Sequence, residues 1–273
     1  MIFFGVIGST AISLAYASGG RSGTRGRAGR SPRAGWRHQM MCSLRLCHHE
    51  SEQITTSGRS PTRRRAKVDR EMPRRIGIFG GTFDPIHVGH LVTAVNARAA
   101  LNLDVVELVV ANEPWQKVGG RAVTPAADRL ALVAAAVHDC EGIEVSDREI
   151  RRGGPSFTID TVREILADEP GAQLALIVGA DVIARLSSWR SVAALQALCE
   201  LVVVNRPGSR LPEGAALAAA LAGWRYEVIE VPALEVSSTD LRDRAATGRP
   251  LDFLIPEGAI RVIRERGLYA LDR

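Results

Sequence analysis

Cysteines, aromatic residues and long apolar runs are all scarce in this sequence of 273 residues. Four cysteines form no disulfide framework, which fits the reducing cytosol, so we expect a cytoplasmic protein. Cys42 and Cys47 lie beside His48 and His49, but their spacing fits a zinc site poorly, and we expect no metal held by protein ligands. Because no apolar run reaches the ~18 residues of a bilayer helix, the sequence predicts no membrane span and no membrane partner.

Acidic residues are scarce in the first part of the chain. Residues 1–71 contain 13 Arg or Lys and 4 Asp or Glu, whereas the remaining residues carry a net charge of −4. The segment is rich in Gly, Ser, Arg and Pro, so it cannot bury enough surface to offset the entropy of ordering. We predict a disordered extension over residues 1–72 and a folded domain over residues 73–273. Since the positive charge belongs to the extension, we expect no nucleic-acid partner for the domain, despite a pI of about 9.4.

The extension leaves several alternatives open. Residues 2–17 are apolar and end in Ala-Tyr-Ala, as in a secretory signal, but no positive charge precedes them. Translation could instead begin at Met72, four residues before the first predicted strand. A basic arm that contacts nucleic acid is a third alternative.

After Met72, short β-branched runs alternate with amphipathic segments, an order that predicts a parallel sheet with helices on both faces. The apolar continuity of the strands favours burial on both sides. We therefore predict an α/β fold with a Rossmann-like doubly wound parallel sheet, whose ligands bind beyond the carboxyl ends of the strands. The predicted strands are Ile76–Phe79, Val105–Ala111, Ile143–Val145, Leu174–Val178, Leu201–Val204 and Tyr226–Val231. The predicted helices are Val88–Leu101, Pro125–Val137, Ile159–Ala167, Val192–Ala197, Ala215–Leu221, Asp240–Ala246 and Glu257–Arg266.

The segment from residue 80 to residue 91 reads GGTFDPIHVGHL and joins the first predicted strand to the first predicted helix. Gly80 and Gly81 permit a close ligand approach, and Pro85 stiffens the loop. His87 and His90 are three residues apart and so share one face of the first helical turn. Because the N–H groups at a helix N-terminus lack internal partners and the dipole is positive there, this segment predicts a phosphate site.

A second segment, Val-Ser-Ser-Thr-Asp-Leu-Arg at residues 236–242, has the same features with other side chains. Small hydroxyl residues open a helix, and Arg242 follows one turn later as a fixed cation, which predicts the opposite wall of a triphosphate site. Lys117 lies in a predicted flap and could reach a phosphate as a point charge, or could be a solvated loop residue. Trp189 could stack on a flat heterocycle or pack in the core.

Together these segments resemble the nucleotidyltransferases with a His-x-Gly-His signature, and more narrowly the bacterial nicotinate-nucleotide adenylyltransferases. The resemblance implies direct attack of the nicotinate mononucleotide 5′-phosphate on the α-phosphorus of ATP. The products would be nicotinate adenine dinucleotide and pyrophosphate, with no covalent enzyme intermediate and with catalysis by alignment and charge neutralisation. The resemblance covers about residues 74–269 and rests on residues 80–90, 114–117, 156–161, 179–181 with Trp189, 203–208 and 237–242.

The resemblance also implies roles for individual residues, with His90 nearest the developing charge and Asp181 on a ribose hydroxyl. Mg²⁺ would accompany ATP and bridge its phosphates. Phe157 stands where the family commonly has Tyr, and the Lys117 loop lacks the prolines and histidine of many relatives. The implied catalytic residues are His87, His90, Lys117 and Arg242. The implied ATP-binding residues are Gly80, Gly81, Thr82, Phe83, His87, His90, Gly179, Asp181, Ser237, Ser238, Thr239 and Arg242, and the implied nicotinate-nucleotide-binding residues are Thr158 and Trp189.

Other functions remain open at this point. The same reaction could use nicotinamide mononucleotide, phosphopantetheine, or glycerol phosphate with CTP, and the sequence does not decide between acid and amide on the pyridine ring. A dinucleotide-binding oxidoreductase is a distant alternative, because Gly77-Ile-Phe-Gly-Gly-Thr lacks the third glycine of the dinucleotide fingerprint. The oligomeric state is not determined by the sequence.

Overall fold

The computed structural model describes residues 72–114, 122–205 and 211–270. The N-terminal extension and Lys117 lie outside these residues. The boundary between extension and domain, and the role of Lys117, therefore stay predictions.

The sheet has six parallel strands in the order β3-β2-β1-β4-β5-β6. The chain builds β1, β2 and β3 outward in one direction, returns to place β4 beside β1, and continues outward to β6. This reversal between β1 and β4 is where doubly wound sheets bind ligands. The strands are β1 (Arg75–Gly81), β2 (Val105–Val110), β3 (Ile143–Ser146), β4 (Gln173–Gly179), β5 (Cys199–Asn205) and β6 (Tyr226–Glu230).

Helices cover both faces of the sheet. Successive side chains of a strand point to opposite faces, so each face of β2 packs on a different set of helices. Val106 and Leu108 of β2 pack with apolar residues of α1, α2, α7 and α8, whereas Val105 and Val109 pack with α4, α5 and a 3₁₀ helix. No described helix is long and apolar enough to cross a bilayer. The α-helices are α1 (Val88–Ala100), α2 (Ala126–Val137), α3 (Arg148–Arg152), α4 (Thr158–Asp168), α5 (Val192–Leu198), α6 (Gly214–Ala220), α7 (Ser238–Ala246) and α8 (Glu257–Glu265), and the 3₁₀ helix is Ala180–Ser188.

The predicted α/β class and doubly wound sheet are confirmed, and every predicted strand and helix is present within one or two residues of its bounds. Two short elements were missed. The α3 helix has five residues, four of them charged, so it shows no apolar periodicity. The 3₁₀ helix has a shorter residue period than an α-helix, so an α-helical pattern of apolar residues does not reveal it.

The prediction that the strands are buried on both sides is wrong for β6. This strand lies at the edge of the sheet, and only Ile229 among its residues is buried. A strand at an edge has a neighbour on one side only, so its apolar residues meet solvent more often than those of β1 or β4.

Candidate active site

A cavity of about 570 Å³ opens at the carboxyl ends of β1 and β4. Its walls come from the β1–α1 loop, the start of α4, and the 3₁₀ helix that follows β4. The position is the reversal point of the sheet, where the fold alone predicts a ligand. The lining residues that the sequence predicted are Gly80, Gly81, Thr82, His90, Thr158, Gly179, Asp181 and Trp189.

The two glycines at the end of β1 serve different purposes. A Cβ at Gly81 would lie 2.7 Å from the ring of Phe83, which turns back beneath it with a positive φ of 48°. A Cβ at Gly80 would meet nothing within 4 Å and would occupy the cavity. Gly81 therefore allows the loop to turn, and Gly80 keeps space for a ligand. The Phe83 side chain is buried against Phe79 and does not line the cavity.

His90 is held by the start of α1. The backbone N–H of His87 donates to Nδ1 of His90 at 3.2 Å, and the two imidazole centroids are 3.8 Å apart. Because Nδ1 accepts this hydrogen bond, the neutral His90 ring carries its hydrogen on Nε2. His90 lines the cavity, whereas His87 is 4% exposed and lies behind it. Only His90 of the two therefore presents an imidazole to the cavity.

The second predicted phosphate segment contacts the loop that carries the histidines. Ser238 Oγ donates to the carbonyl of Pro85 at 2.9 Å, and Nη1 of Arg242 donates to the carbonyl of Asp84 at 2.7 Å. The second guanidinium nitrogen, Nη2, donates to Thr239 Oγ1 at 3.1 Å. The openings of α1 and α7 are thus adjacent, although they are far apart in the sequence.

The α7 opening is capped as the sequence predicted. Ser237 Oγ accepts from the backbone N–H of Asp240 at 3.2 Å, the contact of an ordinary N-cap. The described cavity walls do not include the predicted residues Ser237, Ser238, Thr239 and Arg242.

Arg129 of α2 holds the backbone of three segments near the site, a role that the sequence did not predict. Its side chain is buried, and its three nitrogens donate to the carbonyls of Thr124, Thr82 and Asn112 at 2.7, 2.8 and 3.0 Å. Burial lowers the pKa of this guanidinium, and the neighbouring carboxylate of Asp84 opposes that shift. One buried cation thus joins the ends of β1 and β2 to the start of α2.

Asp84 is itself buried, and its Oδ1 accepts from the hydroxyl of Tyr269 at 3.0 Å. Burial, together with the charge of Asp84, raises the pKa of Tyr269 well above its usual value. The C-terminal part of the described chain therefore also anchors the β1–α1 loop.

At the end of β4, Gly179 leaves room for Asp181. A Cβ at Gly179 would lie 2.5 Å from Oδ1 of Asp181, so a larger residue would displace the carboxylate. Asp181 is exposed and lines the cavity, where a carboxylate can accept hydrogen bonds from a ribose.

The cavity has an aromatic end formed by Phe157 and Trp189. Both pack partly on the hydrophobic core and both line the cavity, so Trp189 does pack on the core, and its contact with a ligand stays a prediction. The indole Nε1 of Trp189 is buried and has no hydrogen-bond partner among the described residues. The guanidinium carbon of Arg190 lies 4.8 Å from the Phe157 ring centroid.

Glu149 and Thr161 line the cavity beside this end and were also missed. Thr161 Oγ1 donates to Oε1 of Glu149 at 2.8 Å, and Arg152 donates to Thr161 Oγ1 at 3.1 Å. Thr161 follows Thr158 by three residues on α4, so helical spacing was the signal that could have identified it. Glu149 lies on α3, the short helix without periodicity.

The described residues include no group of three or more His, Cys, Asp or Glu side chains placed to hold a metal ion.

Comparisons with known proteins agree with this geometry. A family model described as cytidylyltransferase-like matches residues 78–244. A "Probable nicotinate-nucleotide adenylyltransferase" from Mycolicibacterium vanbaalenii is 42% identical over 199 residues, which are 72% of this chain and 92% of the relative. A protein of the same name from Streptomyces coelicolor is 43% identical over 191 residues, which are 70% of this chain and 98% of the relative.

A solved structure supports the fold. The Plasmodium falciparum nicotinic acid mononucleotide adenylyltransferase complexed with NaAD has a TM-score of 0.59 and 18% identity, and the match covers 72% of this chain and 97% of that one. This structural match shows the fold alone. The family model and the sequence identity to relatives across nearly their whole length identify the family. The chain therefore belongs to the cytidylyltransferase-like family and, within it, to the nicotinate-nucleotide adenylyltransferases.

Proposed function

We infer that this protein transfers the adenylyl group of ATP to nicotinate mononucleotide, in the biosynthesis of NAD. The observation that supports this function is one cavity that is lined by the start of α1, by the Asp181 carboxylate and by an aromatic end. The relatives with this activity in their names match this chain over residues that include all of these features.

The reaction requires no protein nucleophile. An oxygen of the mononucleotide 5′-phosphate attacks the α-phosphorus of ATP, a new P–O bond forms, and the bond to the bridging oxygen of the β-phosphate breaks to release pyrophosphate. The protein contributes alignment and stabilisation of the charge that develops on the phosphate oxygens. His90 lines the cavity and its Nδ1 is fixed by the backbone, so its Nε2–H is the group that we propose to donate to those oxygens.

The other residues divide between the two substrates. Gly80, Gly81 and Thr82 admit the phosphates at the end of β1, and Asp181 binds a ribose hydroxyl in the space left by Gly179. Thr158 and Trp189 receive the pyridine ring. Ser238 and Arg242 fix the loop of Asp84 and Pro85. A direct contact of the polyphosphate with the helix start formed by Ser237, Ser238, Thr239 and Arg242 stays a prediction, because these residues do not line the described cavity.

Mg²⁺ enters as the complex with ATP in this proposal. The absence of a ligand cluster among the described residues fits an ion held mainly by phosphate oxygens and water. The ion supplies neutralisation of negative charge, and the chain supplies orientation. We propose that this ATP-dependent step of NAD biosynthesis takes place in the cytoplasm.

A pyrophosphate-release assay with ATP and a panel of acceptors tests the function. We expect turnover with nicotinate mononucleotide and little or none with phosphopantetheine or glycerol phosphate. His90→Ala should lower kcat/KM by at least ~10²-fold, the loss seen when one preorganised charge-stabilising donor is removed.

His138→Ala is the matched control, because His138 is largely exposed and does not line the cavity. We expect this variant to keep the wild-type rate. Full activity of His90→Ala would contradict the role of His90, and no turnover of any pyridine mononucleotide by the wild type would contradict the function.

A further inference from the structure

The β1–α1 loop, which leads from the cavity wall to His90, is bound by several segments of the C-terminal third of the chain. The start of α7 donates hydrogen bonds to two of its carbonyls, and the carbonyl of Leu254 accepts from the backbone N–H of Val88 at 3.0 Å. A side chain of the loop is held as well, because Oδ1 of Asp84 accepts from the hydroxyl of Tyr269 at 3.0 Å. Asp84 is 3% exposed, and Tyr269 follows α8 near the end of the described chain.

The hydroxyl of Tyr269 also contacts a second segment that borders the site. It shares a hydrogen bond with the side chain of Thr124, which lies just before α2. The carbonyl of Thr124 accepts from Nε of Arg129, and Nη1 of the same guanidinium donates to the carbonyl of Thr82, a residue of the cavity wall. Tyr269 therefore belongs to a connected set of hydrogen bonds around the end of β1, in which each bond strengthens its neighbours.

The backbone conformation of Tyr269 favours a role for this hydroxyl. Its φ of 63° lies in the left-handed region, which is uncommon for a bulky side chain and persists only where the surrounding structure holds it. A phenylalanine ring has nearly the same volume, so the hydrogen bonds of the hydroxyl are what distinguishes tyrosine at this position. Burial and the charge of Asp84 raise the pKa of the hydroxyl well above its usual value, so it remains a donor at neutral pH.

A short buried path connects Asp84 to His90. Ile86 is fully buried, His87 is 4% exposed, and the backbone N–H of His87 donates to Nδ1 of His90 at 3.2 Å. Because a close-packed interior transmits displacements, a shift of the backbone at Asp84 also moves the donor that orients the His90 ring. A misplacement of about 1 Å at a reacting centre can lower a rate by about 10²-fold.

We propose that Tyr269 is a positioning residue for adenylyl transfer, whose hydroxyl holds Asp84 and thereby fixes the orientation of the His90 imidazole. The kinetic part of this inference rests on the proposed function. Tyr269 is not among the residues that line the described cavity, so it acts through the β1–α1 loop rather than by contact with a substrate. The contacts from α7 to the loop backbone remain when the hydroxyl is removed, so the expected loss of rate is smaller than in His90→Ala.

The test is to measure kcat and KM for ATP and for nicotinate mononucleotide in the wild type, Tyr269→Phe, His90→Ala and the double variant. Tyr269→Phe should lower kcat about tenfold and leave each KM within about twofold, because the groups that bind the ground state stay in place. In the His90→Ala background the same change should alter kcat by less than about twofold, since the ring that Tyr269 positions is then missing.

Tyr226→Phe is the matched control, because Tyr226 lies on the edge strand β6, is 38% exposed and does not line the cavity. We expect it to keep the wild-type kcat. Thermal melting followed by circular dichroism checks that each variant is folded at the assay temperature. If Tyr269→Phe is unfolded there, Asp84→Asn takes its place in the same comparison, since it weakens the same hydrogen bond by removing the charge of the acceptor.

Nitrogen NMR of the histidine rings, recorded without substrate, provides a measurement that does not depend on turnover. In the wild type we expect His90 to show the tautomer with hydrogen on Nε2, because its Nδ1 accepts from the backbone of His87. In Tyr269→Phe the His90 signals should move towards those of a mixture of both tautomers, whereas Tyr226→Phe should leave them unchanged.

The outcomes separate the two claims. A folded Tyr269→Phe with the wild-type kcat and unchanged His90 signals overturns the inference alone. An equal fold-loss in the presence and absence of the His90 ring does the same, because the hydroxyl would then act on the rate by another route. A wild type that turns over no pyridine mononucleotide overturns the proposed function, and the NMR comparison then decides whether Tyr269 orients His90.

Discussion

His90 owes its orientation to one contact with the main chain, between its Nδ1 and the backbone N–H of His87. The same contact caps the first turn of α1 and fixes which ring nitrogen carries hydrogen. The sequence shows two histidines three residues apart, and in the structure His90 lines the cavity whereas His87 does not.

Cys199 provides a prediction at the same scale. Its thiol is buried at the start of β5 and donates to the carbonyl of Leu195 at 3.1 Å. Burial raises the pKa of this thiol to about 12, and the charge of Arg225 opposes the shift. In the unfolded chain a cysteine ionises near pH ~8.5, so above that pH the unfolded state loses a proton that the native state keeps.

Stability from Cys199 is therefore fully present below about pH 8.5 and is lost as the pH rises towards the folded pKa. We expect urea unfolding between pH 8 and pH 10 to show a smaller loss of stability in Cys199→Ala than in the wild type. The partly exposed Cys140 provides the control variant Cys140→Ala. The wild type and Cys199→Ala both contain Tyr269, whose raised pKa also lowers stability as the pH rises. The difference in pH dependence between these two proteins therefore reports on Cys199 alone. Equal pH dependence in the wild type and Cys199→Ala would show that the thiol does not contribute.

At the scale of elements, Arg129 joins three segments that the chain builds separately. Its acceptors are the carbonyls of Thr82 after β1, Asn112 after β2, and Thr124 before α2. The ends of β1 and β2 carry the cavity wall, so this side chain links the packing of α2 to the shape of the site. The loop with Lys117 lies between Asn112 and Thr124 in the sequence, and both of its flanks are held by this one guanidinium.

We expect Arg129→Met to lower the free energy of unfolding by about 2–4 kcal/mol, because three buried carbonyls lose their donors. An apolar replacement of a buried ion pair can be neutral, but here the acceptors belong to the backbone and remain in place. Urea denaturation measures the effect. Arg163→Met on the exposed face of α4 is the control and should stay within about 0.5 kcal/mol of the wild type. A stable Arg129→Met would mean that water or the loop satisfies these carbonyls.

At the scale of the whole molecule, the cavity lies at the reversal point of the sheet, and the opening of α7 holds the β1–α1 loop that forms one of its walls. The contacts from Ser238 to Pro85 and from Arg242 to Asp84 join segments more than 150 residues apart in the sequence. All described residues of the site follow Met72, and the family model matches residues 78–244.

A chain that starts at Met72 is therefore expected to keep the adenylyl transfer activity of the full chain. The kcat and KM for ATP and nicotinate mononucleotide, compared between the two chains, measure this. If the shortened chain keeps its secondary structure and loses its activity, the first 71 residues take part in the function, and the view of them as a dispensable extension is wrong.

The sequence by itself determined the elements and the kind of ligand. Strands and long helices follow from hydrophobic period, which is a local property, and the start of α1 follows from Gly80, Gly81 and the two histidines. The order of polar segments after the strands was enough to place the cavity, since parallel strands end at one edge of the sheet. Short elements such as α3 contain too few residues to show a hydrophobic period.

Only the tertiary structure decided which of the candidate residues face the cavity and which support it. His87 and Phe83 are buried and do not line the cavity, and Arg242 holds the backbone of Asp84. The binding roles that the resemblance implies for these three residues stay predictions. Arg129 was indistinguishable from a solvated arginine until its acceptors, up to 47 residues away in the chain, were brought around it. The physical reason is that burial and hydrogen bonding are settled by neighbours in space, whereas sequence patterns report neighbours along the chain.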